Sequence, residues 1–373
     1  MPLQIKYLNE REDIPIVSYK PDTGCFSLKS GETTDLEIEV SYRLDCKTDY
    51  STSDYLVFMF ACKEPGENEI FQVYEKENDN RIGWIFPIQA LQSKEHSFAD
   101  NEHFLKYAFV AFHLLCKGET NAFRKIPNYE DNRSYSIDEF YAEDSIILCL
   151  SKKKIDNFEK FSIDDYLPSL FKWGYYLQVK RNPDQICISA EKQEEVRRKL
   201  KVGPISSSLK GNRFVKSLLS EVLPYEDVPL LAFFYLYQIV ELLIEKVLIH
   251  EQRRKIDELI DNKDKPFELI EIVEKMKGSF SEKSRLISLF NNYLDSPPYL
   301  EDLKQACNEF LEKYKRKSGT DFWNYLYNVR NLLFHQYRNV EQADTNELRE
   351  VVKYFRIVIP DLLMSCKIPV ESP

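Results

Sequence analysis

The sequence predicts an α+β protein of two domains, a β-rich N-terminal domain followed by an all-helical C-terminal one. Over the first 150 or so residues, apolar side chains alternate or fall in short buried runs; from about Pro224 they recur with the 3.6-residue period of helices. With 373 residues, 43% hydrophobic and 13% aromatic, the chain has enough apolar material for a core in each domain.

In chain order, DLEIEVSYRL (35–44) alternates like a half-buried strand, and DYLVFMFAC (54–62) is a continuous apolar run. EIFQVY, IGWIF and DSIILCLS read as further strands between turn-like segments. FLKYAFVAFHLLC (104–116) fits a strand by its aromatic and β-branched residues and a helix by its length. These segments place a β-rich domain at 1–160. Residues 161–223 read as a connector with short strands, YYLQVKR and QICISA, and an exposed helix over AEKQEEVRRKL (190–200).

The helical domain, 224–373, is well punctuated. Asp227 and Pro229 open the apolar run 228–249; Asp264 and Pro266 open FELIEIVEKMK, which Gly278 ends. Ser279 with Glu282 resembles a capping box for EKSRLISLFNNYL, the SPP at 296–298 stops that helix, and Thr320 or Asp321 caps the next. The last helix starts near Asp344 and contains Pro360, a residue able to kink it. Run 228–249 has the length of a membrane span but carries Gln238, Glu241, Glu245 and Lys246. One acidic residue near a span's centre costs about 2.5–3.5 kcal/mol, so a buried helix is the expectation.

Charge and motifs exclude several functions. A net charge of -10 argues against coating nucleic acid by bulk electrostatics, while leaving room for a local basic site. The eight cysteines contain no C-x-x-C pair and no zinc-type spacing with histidine, and MPLQIKYLNERED is not a signal-peptide pattern, so a cytoplasmic protein with reduced thiols is expected. G-x-x-x-x-G-K-[ST], G-x-G-x-x-G, H-E-x-x-H and G-x-S-x-G do not occur, and no cofactor or metal is expected. His96, His103, His113 and His250 lack ligand-like partners in sequence.

NYLYNVRNLLFHQYRNV (324–340) raises the functional question, because Arg330, Asn331 and His335 stand among Leu326, Val329, Leu332, Leu333 and Phe334. At about 100° per residue, Asn331 and His335 lie about 40° apart and share a face. Arg330 and His335 lie about 140° apart, which calls for a second helix, such as that of a second copy across a two-fold axis, unless the long arginine bends around. Histidine exchanges protons near neutrality and guanidinium matches phosphate oxygens, so the pair suits RNA cleavage by the 2′-hydroxyl, with Asn331 as positioner. The competing reading is a solvated helix face.

The string Arg330-Asn331-Leu332-Leu333-Phe334-His335 resembles the R-N-x-x-x-H signature of the HEPN superfamily, helical bundles in which it begins a late helix. The resemblance covers about 224–370, where the motif falls fourth or fifth in a run of helices, and none of the N-terminal half. It implies a metal-independent endoribonuclease that dimerises to form its cleft, of a kind recurring in toxins, abortive-infection systems and CRISPR-associated effectors. His335 and Arg330 carry over as catalytic residues and Asn331 as their companion. The superfamily often places a polar or acidic residue on the first helix near this pair; Gln238 and Glu241 fill that place, with Glu241 pairing Arg330 or orienting His335, although their stripe also fits an exposed face. Lys315, Arg316 and Lys317, with Tyr337 and Arg338, are candidate RNA contacts, and equally fit solvated surface or helix-end packing. The expectation is a defence effector, a homodimeric ribonuclease whose N-terminal domain detects a phage or protein trigger. The alternative is a non-catalytic HEPN dimerisation or ligand-binding module.

Overall fold

The computed structural model describes all residues except 1, 32–35, 46–49, 67, 121, 157, 180, 189–197, 279, 296–297, 317–320, 337–344 and 370–373. The chain is α+β, with its sheets in the N-terminal half and a helical C-terminal half. It divides into two compact units, Met1–Gly203 with Leu219–Tyr225, and Pro204–Leu218 with Glu226–Pro373.

The strands of the first unit are β1 (Gln4–Tyr7), β2 (Glu10–Asp13), β3 (Ile16–Lys20), β4 (Cys25–Lys29), β5 (Glu37–Ser41), β6 (Tyr55–Ala61), β7 (Phe71–Glu75), β8 (Arg81–Pro87), β9 (Ser134–Tyr135), β10 (Ser145–Ser151), β11 (Tyr176–Leu177) and β12 (Lys199–Val202). β1 and β2 form a hairpin; β3-β4-β5-β9 form one sheet and β11-β6-β10-β8-β7-β12 another. Pairing is antiparallel except for β5 with β9 and β7 with β12. The apolar run of β10 is buried along its whole length because β6 and β8 flank it.

Segment 104–116 is a helix, α1 (Glu102–Lys117). Asn101 accepts from the N–H groups of His103 and Phe104 at its start, and Gly118 closes it at φ 66, where a glycine has no Cβ penalty. Its aromatic residues serve both large sheets: Phe104 meets Trp84 and Phe86 of β8, while Phe109 and Phe112 meet Phe26 of β4 and Tyr42. A helix packed by two sheets is apolar on several sides and loses the periodicity that would separate it from a strand in the sequence.

Of residues 161–223, all but 204–218 take part in the first unit's architecture. A short helix, α2 (Leu167–Lys172), precedes β11, which pairs with β6, and β12 lies along β7. Two expectations fail here. Most of AEKQEEVRRKL lies outside the described residues, but its last two, Lys199 and Leu200, begin β12, where Leu200 and Val202 point inward and Lys199 and Lys201 do not. Period two thus wins where a helix was expected. QICISA is not a strand over its described part: Asn182 caps a single turn at Pro183–Gln185, and Ile186 to Ile188 join no sheet.

The second unit contains α3 (Arg213–Ser217), α4 (Pro229–Asp261), α5 (Pro266–Gly278), α6 (Glu282–Ser288), α7 (Leu300–Lys313), α8 (Phe322–Gln336) and α9 (Thr345–Ser365). α4 lies against α5, α6 and α9; α7 lies against α8 and α9, and α8 also meets α6. Phe233, Leu236, Tyr237, Val240, Leu243 and Val247 bury the first two-thirds of α4. Among the described residues, no helix is long and apolar enough to cross a membrane. α9 runs through Pro360 to Ser365, and Ser206 ties the start of the unit to it by donating its N–H to Leu363 O and its hydroxyl to Cys366 O. Ser281, with its oxygen on the Ser284 N–H, caps α6; of the caps read from sequence, Ser279 and Thr320 lie outside the described residues and Asp321 directly precedes α8.

At Gly83 of β8, an added Cβ would clash with the backbone oxygen of Cys149 on β10. Backbone cannot yield as a flexible side chain does. Gly83→Ala is expected to destabilise the protein by about 3 kcal/mol or more, the upper range of overpacking penalties, measurable by urea denaturation. An unchanged midpoint would show that the strands separate easily here.

Candidate functional site

α8 carries the trio on the rim of its buried face. Leu326, Val329, Leu332 and Leu333 are in the core, which leaves the intervening positions half-buried at Arg330 and Asn331 and exposed at Phe334 and His335. Arg330 to His335 occupy the second half of α8, whereas the superfamily pattern begins a helix.

The arginine bends. Its Nη1 lies 3.1 Å from Asn331 Oδ1 and 3.4 Å from His335 Nε2, within one chain. The offset of about 140° therefore does not separate Arg330 from His335, and the need for a second helix inferred from that offset is corrected: three methylenes reach around the helix. Guanidinium has no lone pair to offer, so His335 Nε2 accepts in this contact and the ring proton sits on Nδ1 when the imidazole is neutral. The guanidinium carbon stands 4.8 Å from the centroid of Phe334 and 5.9 Å from that of Tyr237, and Phe334 packs on Phe234 at 4.3 Å. Arg330 Nε is buried with no acceptor among the described residues.

Two carboxylates face the other side of the guanidinium. Arg330 Nη2 is 3.5 Å from Glu282 Oε2 and 3.9 Å from Glu241 Oε1. The hydroxyl of Tyr237, a fully buried residue, donates to Glu282 Oε1 at 2.7 Å. Burial, the bond to Glu282 and that residue's charge push the Tyr237 hydroxyl's pKa well up, so it stays a neutral donor; Arg330 opposes the shift and Glu241 adds to it. Burial also raises Glu241 above the ordinary carboxylate value, partly offset by Arg330 and reinforced by Glu282.

Glu241 thus sits beside Arg330, one of the two arrangements expected of it. Gln238 is exposed and, among the described residues, joins neither hydrogen bond of the trio. Lys315 and Arg316 are exposed just beyond the end of α7; Lys317, Tyr337 and Arg338 lie outside the described residues. Sequence reading missed Tyr237 and Glu282. Glu282 read as half of a capping box because it follows Ser279 by three, and Tyr237 read as core; only the spacing of Tyr237 one turn before Glu241 hinted that they share a face. Among the described residues, no group of three or more His, Cys, Asp or Glu side chains is placed to hold a metal ion. No protein-family model, curated protein or solved structure matches the chain.

The raised pKa of Glu241 fixes the sign of a stability effect. The folded protein holds this proton to a higher pH than the unfolded chain, whose carboxyl titrates near 4.5, so stability falls as pH rises through the window above that value. Glu241→Gln removes this term while Glu282 still pairs Arg330. The variant is expected to be at least as stable as the parent at pH 7, with a flatter decline between pH 4.5 and 7 in urea melts. Clear destabilisation at pH 7 would show that the ion pair outweighs the burial of the carboxyl.

Proposed function

We propose that the chain is a metal-independent endoribonuclease of the HEPN type. The observation that carries the reading is the Arg330 guanidinium within reach of both Asn331 Oδ1 and His335 Nε2 on a partly exposed rim. In this reading Arg330 holds the scissile phosphate and stabilises the charge that builds on it, while His335 takes the 2′-hydroxyl proton or delivers one to the departing 5′-oxygen. The 2′-oxygen bonds to phosphorus as the bond to the 5′-oxygen breaks, leaving a 2′,3′-cyclic phosphate and a 5′-hydroxyl. Both proton transfers need a group, and a homodimer would bring a second His335; the resemblance to the superfamily, not the helix geometry, supports that assembly. A cytoplasmic defence role, with the β-rich unit as sensor of a phage or protein trigger, completes the proposal and rests on the same resemblance.

A second reading, a non-catalytic dimerisation or ligand-binding module, draws on the pairing of Arg330 with Glu241 and Glu282, which already balances the guanidinium's charge.

Purified protein or induced cells are expected to cleave RNA in the presence of EDTA, and Arg330→Ala and His335→Ala to lower the rate by about 100-fold to 1,000-fold, the usual loss for a charge-stabilising donor. Asn331→Ala should be milder, since water replaces a positioning amide in part. Equal activity of all variants and the parent, or a chemical step strictly dependent on magnesium, would overturn the nuclease reading.

Assembly is tested separately. Mixing parent chains with an excess of an Arg330→Ala, His335→Ala double variant should depress activity per parent chain if two copies share a cleft. Constant activity with demonstrated subunit exchange would mean that each chain carries a whole site.

A further inference from the structure

We infer that Glu282, tethered by Tyr237, is a positioning residue that sets the direction of the Arg330 guanidinium. The catalytic readouts of this inference rest on the ribonuclease reading.

Glu282 reaches Arg330 from a separate helix whose place is fixed at several points. Ser281 caps α6 directly before Glu282, Leu286 is fully buried, and the Ser288 hydroxyl donates to Glu251 of α4. Tyr237, also on α4, holds the near end of α6 through Glu282 itself. The carboxylate divides its oxygens: Oε1 accepts from Tyr237 and Oε2 faces Arg330 Nη2. A tyrosine with no exposed surface has no water to exchange this bond with, so Glu282 is held in one orientation.

The distances suit orientation better than capture. At 3.5 Å and 3.9 Å, the contacts of Arg330 with Glu282 and Glu241 exceed the roughly 2.7–2.9 Å of a full charge-assisted hydrogen bond. The carboxylates therefore steer the guanidinium by charge without making a full hydrogen bond to its Nη2–H groups, which leaves those two donors for phosphate oxygens. Of the two, Glu282 is the anchored one, with a side chain 20% exposed against 42% for Glu241. The series Tyr237, Glu282, Arg330, His335 thus runs from the core to the rim, each member fixing the next.

The test compares Glu282→Ala, Glu282→Gln and Tyr237→Phe with the parent. Glu282→Gln keeps an acceptor for Tyr237 and the side-chain size while removing the charge, which separates positioning from folding; melting curves check that each variant folds. Single-turnover cleavage is expected to slow by about tenfold to 100-fold in Glu282→Ala, as for a reacting group displaced by about an ångström, with KM changed far less. Tyr237→Phe should fall between Glu282→Ala and the parent. In parallel, nitrogen-15 relaxation and hydrogen exchange at Arg330 Nε–H report the order of the guanidinium without reference to catalysis, and both should show it loosened in all three variants. Should the parent cleave no RNA while Arg330 still loosens, the ribonuclease reading fails and the positioning role stands. Unchanged Arg330 order in folded Glu282→Ala, whatever the cleavage rate, overturns the inference.

Discussion

A guanidinium keeps its charge at any pH a protein survives, so Arg330, only 17% exposed, must be met by opposite charge or polar atoms. The second unit answers from three helices: Glu241 from α4, Glu282 from α6, and Asn331 and His335 from α8 itself. Removing one partner leaves a half-buried charge less well met, which ties the spacing of α4, α6 and α8 to the site. The same requirement explains Tyr237, a fully buried hydroxyl that needs a partner and finds it in Glu282.

The first unit is organised by a different constraint, the covering of two sheets by one helix. Phe26 contacts Phe109 and Phe112, while Trp84 and Phe86 contact Phe104. α1 joins the inner faces of both sheets into one core of tightly interlocked aromatic rings. Gly83 is the corresponding backbone feature, where β8 approaches β10 too closely for any side chain.

Much of the fold was legible because period and punctuation are local properties. DYLVFMFAC and DSIILCLS fell on β6 and β10, and Asp227 with Pro229 marked the start of α4. What failed was local signal overridden from a distance: Lys199 and Leu200 end a segment whose composition predicts a helix, yet parallel pairing with β7 makes them a strand. At the site, Arg330, Asn331, His335 and Glu241 were singled out by their chemistry within an apolar context. Glu282 was read only as part of a capping box with Ser279, since a Ser-x-x-Glu spacing is what a helix start looks like, and its approach to Arg330 left no mark in the sequence.

The sequence by itself determined which residues could do chemistry and where the 3.6-residue period begins, because both depend on side-chain type and near neighbours. Only the tertiary structure decided how those residues meet. The approach of Glu282 to Arg330 spans 48 positions in the chain and depends on α6 settling against α4 and α8, a matter of packing that no local pattern encodes. The bend of Arg330 toward His335 was decided in the same way: helical angles set the two Cβ directions apart, and the rings of Phe334 and Tyr237 with the charges of Glu241 and Glu282 set where the guanidinium comes to rest.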